Sequence, residues 1–267
     1  MRCVLLSDLH VSRRPGARDN RALARIVAHL RRAYPVDARP QVILSGDVTN
    51  NGSEAEFEAA LELLAPLRDA GFPIVACPGN HDVGPLGNSF AASSRVYFQQ
   101  YVVGELMGVA AAKTASDVMD DLYPLVTPVD GGLLIGLDSA HQEDFLAAGR
   151  IGEAQLAKLR ERLSERAPGT TTLVYVHHHP FLWGPQMAMI DADRLMEVLR
   201  DQVDVLCFGH KHSWGRWTDR DGIRLILASG KATKRERRPR RYEYWEVTVQ
   251  TGSVSWSRRK VSPRGPC

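Results

Sequence analysis

The segment 74–82 reads IVACPGNHD, an apolar run that ends in a polar turn. A short, β-branched apolar run of this kind is typical of a buried strand. The same form recurs along the chain, because further apolar runs end in SDLH at 7–10, SGD at 45–47, HHHP at 177–180 and GHKH at 209–212. We therefore expect five core strands, each ending in side chains that can bind a metal ion.

Amphipathic helical patterns separate most of these strands. In the segment 20–33, apolar side chains recur at helical spacing and form one stripe. Similar patterns lie at 53–69, 152–165 and 191–201. Because strands that alternate with helices are typical of layered α/β architectures, the sequence predicts an α/β core.

Two parts of the chain depart from this alternation. Residues 83–130 begin with a loop and continue as a helical stretch over about 90–112, which predicts an insertion that could cap a site. The segments 242–250 and 253–260 flank a Thr-Gly turn and predict a β-hairpin. We expect a single domain over 1–267, with a cap or lid insertion at 83–130 and a C-terminal basic loop and hairpin at 231–267.

Composition excludes several classes of protein. The chain has 267 residues, 44% of them hydrophobic and 24% charged, which is ordinary for a globular protein and not for a disordered or fibrous one. No apolar run approaches the ~18–20 residues that a membrane span needs. The N-terminal MRCVLLSDLH is too short for a secretory signal. A cytoplasmic location is therefore expected.

The net charge of +3 conceals three basic segments near the ends of the chain. Residues 1–39 are the first, and within them Arg13 and Arg14 closely follow the DLH motif, so they are candidates to contact an anionic substrate. The second segment is 258–267, and the third is the run KATKRERRPRR at 231–241. This run favours either nucleic-acid binding or an ordinary solvated loop.

The polar turns together offer a set of metal donors. In open α/β sheets, ligands bind beyond the carboxyl ends of the strands, so these side chains should converge. Carboxylate, amide and imidazole donors suit Mn²⁺, Fe²⁺/Fe³⁺ or Zn²⁺. These donor side chains are more than one tetrahedral ion can bind. They are enough for two ions that share a carboxylate, as in phosphoryl-transfer enzymes. Its members are Asp8, His10, Asp47, Asn80, His178, His210 and His212.

In this order, the blocks DLH, GD, GNHD, HHHP and GHKH resemble the calcineurin-like metallophosphoesterase family. The resemblance spans residues 4 to about 230, and it is closest to the bacterial class III branch of cyclic-nucleotide and glycerophosphodiester phosphodiesterases. It implies an α/β (α+β) fold, namely a four-layer αββα sandwich of two mixed β-sheets flanked by helices. It also implies a centre with two metal ions.

The resemblance assigns a role to each donor. Asp8, His10 and His212 would hold the first metal, Asp47 would bridge, and the second metal would be held by Asn80, His178 and His210. Within the triple histidine, His178 is selected because the family ligand stands two residues before the proline. His177 is then expected to point to the opposite face and to support the site. His179, which stands where the branch usually has proline, is a candidate substrate contact.

His81 is implied to face the substrate beside Asn80 and to assist the leaving oxygen, since a histidine near two cations can donate a proton or a hydrogen bond. Family members often carry an acid three residues after the bridging aspartate to orient this histidine. Asn50 stands there instead, which favours electrostatic assistance over strict general-acid catalysis. Asp82 is expected to orient the GNH turn.

The implied function is hydrolysis of a small phosphodiester, of the cyclic-nucleotide or glycerophosphodiester type, by in-line attack of a metal-bound hydroxide. Three alternatives stay open: a nuclease supported by the run 231–241, a phosphomonoesterase of the same superfamily, and a non-catalytic scaffold. The complete donor set argues against the scaffold. A small substrate is the expected partner, nucleic acid is not favoured, and a homo-oligomer could form through the hairpin or the insertion.

Overall fold

A computed structural model of the chain describes residues 1–87, 89–109, 122–140, 147–182, 184, 187–234, 236–237, 240–250 and 252–262. Two six-stranded mixed sheets form the centre of this described part, and helices flank them. The predicted αββα sandwich is therefore confirmed. None of the helices described is both long enough and apolar enough to cross a membrane.

The first sheet joins both ends of the chain. Its strand order is β10-β11-β1-β2-β3, and β12 pairs with β11. The strands β1, β2 and β3 are parallel, whereas β11 runs antiparallel to β1. Its members are β1 (Arg2–Leu6), β2 (Gln41–Ser45), β3 (Ile74–Cys77), β10 (Glu236–Arg237), β11 (Arg240–Gln250) and β12 (Ser253–Val261).

The second sheet has the order β4-β5-β6-β7-β9-β8. Its four central strands are parallel, and the two edge strands are antiparallel to their neighbours. The members are β4 (Leu125–Val129), β5 (Gly132–Gly136), β6 (Thr171–Tyr175), β7 (Val205–Phe208), β8 (Gly215–Arg220) and β9 (Ile223–Ala228).

The helices follow the predicted apolar stripes. Helix α1 buries Leu23, Ile26 and Leu30 in the core of the first sheet, as its spacing predicts. The predicted helix at 90–112 is instead a short α-helix followed by a π-helical stretch, Phe98–Leu106, and residues 110–121 lie outside the described part. The α-helices are α1 (Arg18–Ala33), α2 (Glu54–Asp69), α3 (Ala92–Tyr97), α4 (Glu153–Glu165) and α5 (Ala192–Leu199).

The second sheet separates the buried apolar residues into two clusters, one on each of its faces. Leu173 and Tyr175 of β6 belong to the larger cluster that they share with the first sheet, whereas Val174 and Val176 belong to a cluster under α4 and α5. Both faces of β6 are thus apolar, as expected for a parallel strand covered on both sides. This alternation decides which way the residues after β6 point.

Candidate metal centre

The polar turns after β1, β2, β3, β6 and β7 meet at one edge of the two sheets. Backbone hydrogen bonds hold the first two turns together, because the amide of Asp8 donates to Gly46 (3.1 Å) and that of His10 to Asp47 (2.9 Å). The amide of Gly209 donates to the carbonyl of His177 (3.0 Å) in the second sheet. The edge therefore collects side chains that are distant in sequence.

The backbone of these turns is unusual. Five of the residues named as metal donors have a positive φ, in the left-handed region that non-glycine residues seldom adopt: Asp8 (56°), His10 (48°), Asp47 (52°), His210 (72°) and His212 (55°). Each such residue costs roughly 1–3 kcal/mol and persists only where the surrounding structure imposes it. Their concentration at one edge marks it as a functional site.

A first donor cluster comprises Asp8, His10, Asp47 and His212, whose donor atoms all lie within 4.8 Å of one another. The Nε2 atoms of His10 and His212 are 3.0 Å apart. His212 Nε2 lies 3.2 Å from Asp8 Oδ1, and His10 Nε2 lies 3.6 Å from Asp47 Oδ2. The four side chains thus point at one common position.

A second donor cluster surrounds His177. Its Nε2 lies 3.3 Å from Asp47 Oδ1, 3.1 Å from Asn80 Oδ1 and 3.3 Å from His210 Nδ1. The Nδ1–H of His177 donates to the carbonyl of Ser45 (2.9 Å), which fixes the ring with Nε2 towards the other donors. Asp47 therefore offers one carboxylate oxygen to each cluster.

The two clusters fit metal ions. Donors held about 2.1 Å from one ion lie roughly 3.0–3.4 Å apart, and five of the six donor distances given above fall in this range. Asp8 Oδ1 is buried, and apart from the approach of His212 Nε2 it has no hydrogen-bond partner within the described residues. The residues at the edge thus suit two ions bridged by Asp47.

The electrostatics of the clusters agree with this fit. Burial would raise the pKa of Asp47, but His177 and then His10 outweigh it and hold that pKa well below its usual range. Burial opposes protonation of His177, yet the charge and hydrogen bond of Asp47 raise its pKa to about 9. The negative charge of Asp47 therefore favours a positive charge in the second cluster, as a metal ion would supply.

The structure does not place His177 as predicted. The prediction that His177 points to the opposite face is wrong, because its Nε2 faces Asp47 and Asn80. His178 instead has its Nδ1 2.8 Å from Ser139 Oγ, and its ring lies 4.5 Å from that of His210. The cause is the alternation of β6, which sends Tyr175 and then His177 towards the first sheet.

Asn80 is fixed by a residue that sequence reasoning treated only as part of a loop. Its Nδ2 donates to the carbonyl of Gly87 (3.0 Å), so its Oδ1 faces His177. Gly87 has a φ of 66°, and a Cβ there would lie 2.3 Å from Asn80 Nδ2 and 2.8 Å from His81 Nε2. Only glycine permits this close approach.

His81 stands beside the first cluster, with its ring edge against His10 at 4.6 Å. Its backbone amide donates to Asp47 Oδ1 (3.0 Å). Its Nδ1 lies 2.7 Å from the backbone carbonyl of Asn50, to which Nδ1–H donates. Asn50 thus contacts the histidine at the predicted place, but through its main chain and not its amide side chain.

The Asp82 carboxylate ties the turn after β3 to the turn after β2. It accepts hydrogen bonds from the amides of Val48 (3.1 Å), Thr49 (2.8 Å) and Gly79 (3.0 Å), and from the Thr49 hydroxyl. Burial, followed by the charge of Asp47, raises its pKa to about 6 in spite of these donors. Asp82 therefore holds the turns that carry Asp47 and Asn80 together, and it belongs to neither donor cluster.

The candidate substrate residues lie outside both clusters. His179 is buried, and its ring packs against Phe208 at 4.5 Å. Arg13 and Arg14 are exposed in the loop between β1 and α1. Within the part of the chain that the structure describes, neither arginine side chain forms an ion pair with a donor residue.

Comparisons with known proteins place the chain in a sequence family. The model of the calcineurin-like phosphoesterase family matches residues 1–214. A probable glycerophosphodiester phosphodiesterase, GpdQ of Arcobacter nitrofigilis, is 28% identical over 222 residues, which cover 78% of this chain and 71% of that protein. The cyclic AMP phosphodiesterase CpdA of Vibrio vulnificus is 27% identical over 177 residues, 64% of this chain and 54% of that protein.

Solved structures share the fold. A dimetal phosphatase from Danio rerio superposes with a TM-score of 0.73 at 17% identity, over 98% of this chain and 96% of that one. A purple acid phosphatase from yellow lupin superposes with a TM-score of 0.67 at 14% identity, over 98% of this chain and 52% of that one. The resemblance seen in the motifs is therefore confirmed at the level of sequence family and of fold.

Proposed function

The chain belongs to the calcineurin-like phosphoesterase family, and from this premise we propose that it hydrolyses small phosphodiesters with the help of two metal ions. The observation that carries the proposal is the position of Asp47, whose two carboxylate oxygens face separate donor clusters. The names of the distant relatives, a glycerophosphodiester and a cyclic-nucleotide phosphodiesterase, support a diester substrate.

Each ion would be held by four side chains. Asp8, His10 and His212 would complete the first site with Asp47, while Asn80, His177 and His210 would complete the second. We thus propose His177, in place of His178, as the imidazole donor of the second site. Mixed oxygen and nitrogen donors suit Mn²⁺, Fe²⁺/Fe³⁺ or Zn²⁺, and such ions polarise a phosphate and lower the pKa of water towards neutrality.

The remaining residues position and assist the substrate. His81 has Nδ1 committed to the carbonyl of Asn50, so its Nε2 is the atom that would contact the leaving oxygen. A backbone carbonyl orients the ring but carries no full charge to stabilise an imidazolium. His81 therefore acts mainly by electrostatic and hydrogen-bond assistance.

A test of the proposal uses two model substrates. Metal-stripped protein supplied with Mn²⁺ should hydrolyse bis(p-nitrophenyl) phosphate, and Asp47→Ala should lower kcat/KM by at least about 100-fold, since it removes a ligand of both ions. The diester should be preferred over p-nitrophenyl phosphate by about 10-fold or more in kcat/KM. Turnover that survives metal removal, or an unchanged Asp47→Ala variant, would refute the proposal.

A nuclease is less well supported. Of the seven cations in the basic run, Lys231 pairs with Asp19 (2.9 Å) and Arg241 pairs with Glu243. If the substrate is a small diester, binding to single-stranded DNA should be weak and depend only slightly on salt. A steep fall of affinity with salt, as phosphate contacts cause, would favour the nuclease instead.

A further inference from the structure

A cavity of about 730 Å³ lies beside α5, on the face of the second sheet that is turned away from the first sheet. Its volume is in the range of pockets that bind small molecules, roughly 300–1,000 Å³. None of the donors of the metal clusters lines it among the residues described. It is therefore separate from the metal centre.

One wall of the cavity is aromatic. Phe181 and Trp217 line it with ring centroids 5.4 Å apart, and His179 lies beside them. The guanidinium of Arg220 is stacked over Phe181 at 3.9 Å and over Trp217 at 5.8 Å. These flat groups offer a stacking surface for a planar ring.

Cationic side chains also line the cavity. Lys211 and Arg200 are found there together with Arg220. The side chains of Lys211 and Arg200 form no hydrogen bond or ion pair with any residue that the structure describes. Two acids, Asp193 and Asp221, also line the cavity, but Asp221 is paired with Arg220 (3.2 Å). An excess of positive charge is left for an anion.

The backbone supports the idea of a built site. Asp219 has a φ of 50°, a left-handed conformation at the next-to-last residue of the short strand β8. It lies in the strand between Trp217 and Arg220, whose guanidinium is 5.8 Å from the Trp217 ring. Strain of this kind is retained where it positions functional groups.

We propose that this cavity is a second ligand site that binds a free nucleoside monophosphate, with the base stacked on the Trp217 and Arg220 side and the phosphate bound by Lys211 and Arg200. The combination of a stacking wall and unpaired cations in a volume suited to one small molecule fits this class of ligand. Because Lys211 stands between His210 and His212, an occupant would lie one residue from two proposed metal ligands.

Binding can be measured on the full chain by isothermal titration with AMP, adenosine and inorganic phosphate. The Asp47→Ala variant serves as the background, because it removes binding at the proposed metal centre. We expect AMP to bind Asp47→Ala at least about 10-fold more tightly than adenosine or phosphate does. Adding Lys211→Ala or Arg220→Ala should weaken AMP binding by about 5-fold or more.

Arg216→Ala is the matched control, since Arg216 belongs to the same strand but stacks on Trp256 at 5.3 Å. It should leave the affinity for AMP unchanged. The proposal is overturned if AMP binding disappears in Asp47→Ala, if phosphate binds as tightly as AMP, or if the Arg216 variant weakens binding as much as the Arg220 variant. Hydrolysis of bis(p-nitrophenyl) phosphate is measured independently of AMP binding, so the two proposals fail separately.

Discussion

The side chains of the adjacent residues His177 and His178 make different contacts. His177 places Nε2 among Asp47, Asn80 and His210, whereas His178 has Nδ1 beside the hydroxyl of Ser139. Both rings are fully buried, so burial does not distinguish them. What distinguishes them is the direction in which each leaves the extended chain.

Substituting each histidine by alanine should therefore give different metal contents. His177→Ala removes a donor of the second site, so elemental analysis after loading with Mn²⁺ should find about one ion per chain instead of two. His178→Ala should keep about two ions, although its stability should fall because a buried ring is lost. The opposite pattern, with the second ion lost only from His178→Ala, would show that our assignment of the donor is incorrect.

Gly87→Ala tests how Asn80 and His81 are held. A Cβ at residue 87 would collide with both side chains, so kcat/KM for the diester should fall about 10- to 100-fold as they shift. Gly169→Ala is the matched control, because Gly169 also has a positive φ (77°) but nothing lies within 4 Å of its added Cβ. Both variants should lose a similar stability, about 1 kcal/mol, from the left-handed backbone. Equal activities of the two variants would argue against a positioning role for Gly87.

The candidate site was largely predictable at the scale of residues. The five blocks give the residue types and the strand ends, and the structure brings Asp8, His10, Asp47 and His212 together. The side of the chain on which His177 lies was not predictable. Apolar residues occur on both faces of β6, so the sequence has no polar alternation that would show which face is turned to the first sheet.

Among the elements, the central strands were easier to predict than the edge strands. The strand β8, GRWTDR, was not recognised because it has few apolar residues and leaves one face open to solvent. The Asp221-Gly222 pair between β8 and β9 was an available signal, since both residues have positive φ (52° and 72°), as a two-residue hairpin turn requires. The strand β4 contains Pro128 and is likewise an edge strand.

Glu246 of β11 connects several elements. It accepts a hydrogen bond from Tyr34 at the end of α1, and it pairs with Arg2 of β1 (2.7 Å) and with Arg259 of β12 (2.9 Å). Burial would raise the pKa of Glu246, but Tyr34 and Arg2 outweigh it and hold that pKa below its usual value of 4.5. The charged carboxylate therefore stabilises the junction of these elements.

Glu246→Gln should consequently lower the free energy of unfolding by about 1 kcal/mol near neutral pH. Because the pKa is lowered in the folded state, the advantage of the native residue is complete above the unfolded value of about 4.5 and is lost as pH falls through the folded value. Urea unfolding of both proteins across this range measures the difference. Glu165→Gln, in an exposed pair with Arg162, is the control and should change stability by less than about 0.5 kcal/mol. A difference that grows on acidification would contradict this account.

In the whole molecule, the site exists only because two sheets meet. Asp8, Asp47 and Asn80 follow strands of the first sheet, and His177 and His210 follow strands of the second. The first sheet also needs the chain end, since Leu5 of β1 pairs with Trp245 of β11. Such pairings across most of the chain cannot be derived from local periodicity, so the two-sheet fold was expected only from the family resemblance.

Two metal ions that share Asp47 should be visible by anomalous X-ray diffraction from crystals grown with Mn²⁺. We expect two anomalous peaks about 3.5–4 Å apart, one on each side of the Asp47 carboxylate. The peak next to Asn80 and His210 should be in contact with His177 Nε2. A single peak, or two peaks that do not share Asp47, would contradict a centre of two ions bridged by this carboxylate.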